Sequence, residues 1–143
     1  MPSPIGNFFI KILINSPMHT LLGESFAVIT LTGRKTGKSI TTPINIVNVD
    51  GVMTVVSMRN RTWWRNLRGG RVAQLRHTGK QFAVRGEIVE SPDDVLSNLA
   101  KYFAQYPGYA KYLGVHTGPD GKPNPKDLKR VAGERVVIRL FPI

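Results

Sequence analysis

Residues 26–38 have the sequence FAVITLTGRKTGK, and this stretch sets the interpretation of the rest of the chain. Phe26 to Thr32 is rich in apolar and β-branched residues, which predicts a strand. Gly33 to Lys38 follows as a turn that combines two glycines with three cations. Thr41 to Val49 predicts a second strand, in which Pro43 favours an edge position or a bulge. We therefore expect a basic loop between two strands, which either holds a phosphate or another polyanion or is an ordinary basic turn.

The basic loop belongs to a longer stretch that is almost free of acids. Between Glu24 and Glu87 the only acidic residue is Asp50, and the net charge of the whole chain is +11. The cations of this stretch are Arg34, Lys35, Lys38, Arg59, Arg61, Arg65, Arg68, Arg71, Arg76, Lys80 and Arg85. A field of one sign attracts anions such as a phosphorylated cofactor, nucleic acid or an anionic membrane surface. The positive charge is the one feature of the sequence that favours nucleic-acid binding. We therefore expect a small anionic ligand and no nucleic-acid partner.

The composition bounds the class of protein. A chain of 143 residues with 41% hydrophobic residues suits one globular domain over residues 1–143. It contains no Cys, which excludes thiolate chemistry and fits a reducing, cytoplasmic location. His19, His77 and His116 lie far apart without the spacing of ligands, so we expect no metal site.

Residues 1–23 are expected to form a helical segment that packs on the barrel. Ile5, Phe8 and Ile12 fall on one helical face, so Ile5 to Ile14 predicts a short amphipathic helix. Its densest apolar run is too short to cross a bilayer. Contact of this helix with a membrane surface, or with a second copy of the chain in a homodimer, stays open as an alternative.

The remaining pattern alternates short strands with a few helices. Asp50-Gly51 predicts a tight hairpin, and Ser91 with Pro92 predicts the start of a helix that runs to Gln105. Further elements are predicted as a strand over Val52 to Ser57, a short helix within Arg59 to Gly70, strands over Val72 to Arg76 and Phe82 to Val89 with a bulge at Gly86, a helical turn over Tyr109 to Leu113, a loop over Gly118 to Pro125, and a strand over Val136 to Leu140. About six mainly antiparallel strands with inserted helices predict a small barrel of the α+β class.

Two aromatic groups are candidates for a binding site. Trp63 and Trp64 are costly to expose, so at least one should anchor the core, although a Trp beside arginines also suits an aromatic anionic cofactor. Tyr106, Tyr109 and Tyr112 recur every three residues. A phenol at a pocket edge can donate a proton to a developing oxyanion, and the same residues could simply pack over the barrel mouth.

Taken in order, these segments resemble the deazaflavin-dependent nitroreductase family. Its members have an apolar strand that ends in a T-G-R-(K/R)-(S/T)-G turn, followed by a (T/V)-P strand. A W-(Y/W)-x-N-(L/V) segment, a P-x-Y-A-x-Y segment and a final strand with a proline come later. The matching residues here are Thr32 to Gly37, Thr42-Pro43, Trp63 to Leu67, Pro107 to Tyr112 and Leu140 to Pro142. The resemblance covers almost the whole chain.

The resemblance implies a split β-barrel related to FMN-binding oxidases. It also implies hydride transfer from reduced 8-hydroxy-5-deazaflavin coenzyme, coenzyme F-420, to a small hydrophobic acceptor such as a quinone, a nitroaromatic or an activated alkene. The coenzyme carries a phosphodiester and several glutamates, and a basic stretch suits such a polyanion. By resemblance, Tyr109 and Tyr112 are the catalytic candidates on the acceptor side. The cofactor-binding candidates are Arg34, Lys35, Thr36, Gly37, Lys38, Pro43, Ser57, Met58, Arg59, Trp63, Trp64 and Asn66.

The chain departs from the family pattern between Ser57 and Trp63. Characterised members have a longer, glycine-rich loop with a proline at this place, whereas here the segment is short and contains two arginines. Arg65 stands where the family usually has His. The alternative function is therefore a split barrel that binds FMN or another small ligand without nitroreductase activity.

Overall fold

A computed structural model describes residues 26–143, which form one curled antiparallel sheet with helices beside it. The strands are β1 (Phe26–Thr32), β2 (Ser39–Asn45), β3 (Val47–Val49), β4 (Val52–Met58), β5 (Val72–His77), β6 (Lys80–Val89) and β7 (Arg135–Pro142). Their order across the sheet is β2-β1-β5-β6-β7-β4-β3, and every neighbouring pair is antiparallel. The predicted antiparallel α+β architecture is confirmed, with seven strands in the described residues where about six were expected.

The two edges of the sheet meet at Ile46. β2 and β3 are the outermost strands on opposite sides of the sheet, yet this single residue separates them in the chain. A sheet of this width brings its edges together only by curling round, and residues of β2 and β4 accordingly make contact. The single strand predicted over Thr41 to Val49 is therefore wrong, because the chain turns the barrel corner in its middle. The edge position predicted from Pro43 is confirmed.

Two apolar layers lie on the two faces of the sheet. The first fills the barrel with alternate residues of each strand, such as Ala27, Ile29 and Leu31 of β1. The second lies between the outer face and the helices, and it includes Val95, Leu99 and Phe103. β7 contributes to both layers, since Val136 and Ile138 face the barrel and Val137 faces the helices. This double burial explains the run of three consecutive apolar residues, Val136 to Ile138, in the last strand.

Helix α1 (Pro92–Gln105) follows β6 as predicted. The Ser91 side chain accepts a hydrogen bond from the Asp94 N–H at 3.3 Å, which satisfies one of the free amides of the first turn. Val95, Leu99 and Phe103 form the buried stripe that the i, i+4 spacing indicated. Two short 3-10 helices, Pro107–Tyr109 and Lys111–Leu113, stand where one helical turn was expected.

Helix α2 (Pro125–Glu134) was not predicted. The Asn124 side chain accepts hydrogen bonds from the Lys126 and Asp127 amides at 2.9 and 3.1 Å, so the start of the helix is capped. The helix buries only Val131 and Ala132, and so few apolar residues leave a weak periodic signal.

The tight turns follow their glycines. Asp50 and Gly51 both have positive φ, 52° and 81°, as the predicted two-residue hairpin requires. The bulge predicted at Gly86 is wrong, because β6 keeps a regular register with both β5 and β7. Gly86 instead faces Leu67, and a Cβ built on it would lie 3.0 Å from the Cβ of Leu67.

The predicted N-terminal helix over Ile5 to Ile14 lies outside the described residues, as do the membrane and dimer contacts assigned to it. Within residues 26–143, none of the helices has the length and apolar character that a membrane span requires.

Candidate functional site

A cavity of about 630 Å³ lies between the β1–β2 turn and the 3-10 helix Trp63–Leu67, which we call the tryptophan helix. The Arg34 N–H donates to Oδ1 of Asn66 at 2.8 Å, and the Arg34 guanidinium donates to the carbonyl of Arg65 at 3.5 Å. These bonds join two segments that the sequence separates by about thirty residues. Among residues 26–143, four cations and no acid line the cavity: Arg34, Lys35, Arg65 and Arg68. We call this cavity the basic pocket.

The β1–β2 turn holds its own amides. The Gly33 N–H donates to the carbonyl of Lys38 at 2.8 Å, and the Gly37 N–H donates to the carbonyl of Gly33 at 3.0 Å. The Lys38 N–H is bonded to Oγ1 of Thr36 at 3.2 Å. Gly37 has a φ of +69°, which favours glycine there. Because the amides of Gly33, Gly37 and Lys38 are engaged within the turn, its exposed cationic side chains are the main groups that it offers to an anion.

The tryptophan helix is anchored in the core by both indoles. Nε1 of Trp63 donates to Oγ of Ser57 at 3.1 Å, and Nε1 of Trp64 donates to the carbonyl of Met58 at 3.2 Å. The ring of Trp64, only 1% exposed, lies under two guanidinium groups, with Cζ of Arg65 and of Arg68 at 5.3 and 5.2 Å from its centroid. Cation–π attraction therefore helps to hold two cations of the basic pocket in place.

A carboxylate fixes one of those cations. Nε and Nη2 of Arg68 donate to the two oxygens of Glu90 at 3.1 and 2.6 Å, a bidentate pair. The hydrogen bonds from Arg68 hold the pKa of Glu90 below its ordinary value. Glu90 itself stands just after β6, outside the lining of the basic pocket. Arg68 is thus positioned from the side while its remaining N–H groups stay available.

Other predicted cofactor residues have structural partners. Arg59 donates to three backbone carbonyls, those of Glu90, Gly133 and Arg135, at 2.7, 3.2 and 3.0 Å. Ser57 is buried, and its hydroxyl donates to the carbonyl of Met58 at 3.4 Å while it accepts from Trp63. Pro43 lies on the outward face of β2, away from the basic pocket. Of the predicted cofactor residues, the structure brings four to the basic pocket: Arg34, Lys35, Thr36 and Asn66.

The predicted catalytic tyrosines belong to a cluster of rings against α1 and β3. Tyr109 packs against Tyr102 and Tyr112, with ring centroids 5.6 and 6.4 Å apart, and the hydroxyl of Tyr106 donates to the carbonyl of Asn48 at 2.8 Å. Burial raises the pKa of Tyr102, so that phenol stays neutral. Tyr112 is 46% exposed, and Tyr109 lines a cavity of about 340 Å³.

The basic pocket and the tyrosine cluster lie at opposite ends of the sheet. The basic pocket lies beyond the end of β1, because its lining begins at Gly33. The cavity of about 340 Å³ that Tyr109 lines also includes His77, which pairs with Ala27 at the start of β1. A strand of seven residues spans roughly 20 Å. Helix α1 gives the same length of about 20 Å, since it begins beside Glu90 and ends where Gln105 bonds Asp50.

Sequence reasoning missed two arginines of the pocket and the acid that positions one of them. Neither Arg65 nor Arg68 was among the predicted cofactor-binding residues, although their i, i+3 spacing beside Trp64 could have placed them on one side of a helix. Nothing in the sequence pairs Arg68 with Glu90, which is 22 residues away. Among residues 26–143 no group of three or more His, Asp or Glu is placed to hold a metal ion.

The family model of the F420H(2)-dependent quinone reductases matches residues 15–117, which is most of the chain. The chain belongs to this family. As a member it is an oxidoreductase that uses the reduced deazaflavin coenzyme F-420, as the motif resemblance implied. No curated protein matches the sequence.

Solved structures place the fold among the split β-barrels. A pyridoxamine 5′-phosphate oxidase-related, FMN-binding protein from Nostoc punctiforme superposes with a TM-score of 0.55 at 11% identity, covering 99% of this chain and 82% of that one. A protein of unknown function from Agrobacterium tumefaciens superposes with a TM-score of 0.52 at 17% identity, and the match covers 90% of this chain and 55% of that one. A conserved hypothetical protein from Mycobacterium tuberculosis gives 0.51 at 14% identity, covering 89% and 80%. At these identities the likeness shows the fold, and the predicted split barrel is confirmed.

Proposed function

We propose that this family member binds the phosphodiester and glutamate tail of coenzyme F-420 in the basic pocket and reduces a small hydrophobic acceptor, such as a quinone, a nitroaromatic or an activated alkene. The observation that carries the proposal is the meeting of the β1–β2 turn with the tryptophan helix around four cations. A lining with four cations and no acid among the described residues fits a polyanion better than a neutral ligand.

The residues of the basic pocket suit such a tail for three reasons. Arg34 and Lys35 are exposed and can reach an anion without giving up a buried partner. Arg65 and Arg68 are held over Trp64, so less side-chain freedom is lost when they bind. Arginine also recognises phosphate and carboxylate oxygens through paired N–H groups.

The coenzyme supplies the hydride when it is bound, so the work of the chain is to bind, orient and exclude water. We propose that Arg34 and Lys35 hold the anionic end and that Tyr109 and Tyr112 line the acceptor side. The two groups lie roughly 20 Å apart, so the bound coenzyme must extend along the sheet if both groups are to take part in one reaction. Tyr112, which is well exposed, is the better placed of the two to give a proton to a reduced acceptor.

The test is a binding titration of the purified protein with reduced and oxidised coenzyme, followed through tryptophan fluorescence. Trp64 lies directly beneath two arginines of the pocket, so binding should change its emission. The double variant Arg34→Ala, Lys35→Ala should bind roughly ten- to hundredfold more weakly, because two charge-assisted contacts are lost. Its melting temperature should stay close to that of the parent, since both side chains are exposed.

A matched control removes the same charge elsewhere. Lys126→Ala, Lys129→Ala takes two exposed cations from α2, which does not line the basic pocket. It should leave affinity for the coenzyme nearly unchanged. An absence of quenching at tens of micromolar coenzyme would overturn the proposal. If the Arg34, Lys35 variant instead melts early and keeps normal affinity, the turn is structural.

FMN is the second candidate ligand, favoured by the fold shared with the FMN-binding protein from Nostoc punctiforme. A panel of coenzyme F-420, FMN and haem, run under one set of conditions, separates the candidates. If the protein purifies yellow and binds FMN more tightly than the deazaflavin, the basic pocket is instead the binding site for the phosphate of FMN.

A further inference from the structure

A second cavity, of about 540 Å³, adjoins the basic pocket, and Arg68 stands in the wall of both. Gly69, Gly70 and Arg85 form its polar side, and Ile88 and Phe141 form its apolar side. The stem of Arg85 passes close to Gly70, because a Cβ built on that glycine would lie 3.7 Å from Cδ of Arg85. The two cavities are therefore neighbours that share the side chain of Arg68.

The charges of this second cavity leave one cation unmatched. Two acids also line it, but each is already paired: Glu90 with Arg68 at 2.6 Å and Glu87 with Arg139 at 3.0 Å. The side chain of Arg85 is exposed and makes no hydrogen bond or ion pair with any residue of the described range 26–143, while its backbone pairs with β5 and β7. Arg85 is therefore the cation of this cavity that can bind an anion without breaking an existing ion pair.

We propose that this cavity is a second anion subsite, centred on Arg85, which binds the far end of an oligoglutamate tail whose beginning lies in the basic pocket. The inference rests on the proposed function and adds to it a preference for coenzyme with a long tail. Each glutamate of the tail adds a carboxylate, so only a tail of sufficient length reaches past Arg68.

Arg68 is the link between the two subsites. Nε and Nη2 of Arg68 donate to Glu90, and the guanidinium of Arg68 lies over the ring of Trp64. These contacts fix the guanidinium at the boundary between the two cavities. A guanidinium has five N–H groups in a rigid arrangement, and its Nη1 remains free for a tail carboxylate that passes over it. The tail therefore meets cations in the order Arg34, Arg68, Arg85, with no unpaired acid between them in the described lining of either cavity.

The experiment measures the affinity of the wild-type protein for coenzyme preparations that carry a single glutamate or five glutamates. The five-glutamate form should bind roughly two- to fivefold more tightly, the effect of one exposed ion pair. Arg85→Gln should abolish this difference and leave the affinity for the single-glutamate form unchanged. Arg76→Gln is the matched control, since Arg76 is an exposed cation on β5 that lines neither cavity; it should preserve the difference.

Two results would overturn the inference. One is equal affinity of the wild-type protein for both tail lengths. The other is an equal loss of tail discrimination in Arg85→Gln and Arg76→Gln, which would trace the effect to the overall field. A wild-type protein that binds neither form has a different meaning, because it overturns the proposed function and this inference with it. Melting temperatures of both variants close to that of the parent would show that each is folded.

Discussion

Gly86 shows how a single missing side chain supports the site. It lies on β6 opposite Leu67, the fully buried last residue of the tryptophan helix. A Cβ on Gly86 would approach three carbons of Leu67 to between 3.0 and 3.2 Å, which is tighter than ordinary packing. The glycine thus lets the tryptophan helix, and with it Arg65 and Arg68, sit close against the sheet.

Gly86→Ala should destabilise the protein by about 1–3 kcal/mol, the usual cost of overpacking a core. The measurement is chemical denaturation of the variant beside Gly133→Ala. Gly133 lies in α2 with nothing within 4 Å of a built Cβ, so its replacement should stabilise by about 0.5–1 kcal/mol. Equal effects of the two substitutions would show that the contact with Leu67 is not tight.

Tyr112→Phe should lower turnover at least roughly tenfold while leaving affinity for the coenzyme nearly unchanged, if the exposed phenol gives a proton to the acceptor. Steady-state rates and the fluorescence titration measure the two quantities separately. Tyr106→Phe is the control, because the hydroxyl of Tyr106 bonds the carbonyl of Asn48 and should cost stability, about 1 kcal/mol, more than rate. An unchanged rate in Tyr112→Phe removes that residue from the mechanism.

At the scale of elements, the tryptophan helix is the part that assembles the site. It is only five residues long, yet it bonds β4 through its two indoles and the β1–β2 turn through Asn66. Its following residue, Arg68, reaches the end of β6 through Glu90. A short helix of this kind has little stability of its own, so its position depends on these connections.

The Arg68–Glu90 pair should make stability depend on pH in the acid range. The pKa of Glu90 lies below its ordinary 4.5 because the carboxylate accepts hydrogen bonds from Arg68. Its contribution is therefore complete above pH 4.5 and is lost as the pH falls through the lowered pKa. Thermal unfolding of Glu90→Gln should begin at a lower temperature than that of the wild type at pH 7, and the difference should shrink progressively as the pH is lowered below 4.5.

The control for that experiment is the second acid with a lowered pKa, Asp127, which accepts hydrogen bonds from the amide and ring of His116. It lies in α2, and its titration should affect Glu90→Gln and the wild type alike. A difference that persists unchanged at low pH would show that Glu90 stabilises the fold by some means other than its charge.

At the scale of the whole molecule, the net charge of +11 is concentrated by the fold. The curl of the sheet and the tryptophan helix bring cations from separate segments around one pocket. Such a field speeds the approach of anions and weakens as salt screens it.

The affinity for coenzyme should therefore fall steadily as the salt concentration is raised from about 0.05 to 0.5 M, where screening shortens the reach of exposed charges. The Arg34→Ala, Lys35→Ala variant should show a shallower dependence, while Lys126→Ala, Lys129→Ala should keep the wild-type slope. Titrations at several salt concentrations measure this directly. Duplex DNA serves as a comparison, and its binding should become negligible at physiological salt. Tight DNA binding that survives such salt would favour a nucleic-acid role.

Much of the architecture could be predicted because its signals are local. Alternation in β1, the Asp50-Gly51 turn and the Ser91 cap each depend on neighbours within a few residues. Two of the three failures depend on residues that are far apart in the sequence. The break at Ile46 depends on the meeting of the two sheet edges, and the need for glycine at position 86 depends on its contact with Leu67. The third failure, α2, has a local cause, because this helix buries too few residues to give a clear periodicity.

The sequence by itself determined the class of the protein: an antiparallel α+β barrel with a basic stretch that contains a single acid and the ordered motifs of a deazaflavin-dependent family. Composition and short-range pattern suffice for this, because strand alternation, turn residues and net charge are properties of the chain. Only the tertiary structure decided which cations face one pocket, that Glu90 fixes Arg68, and that the tyrosines stand at the other end of the sheet. These are relations between residues far apart in sequence, and the curl of the sheet sets the distances between them.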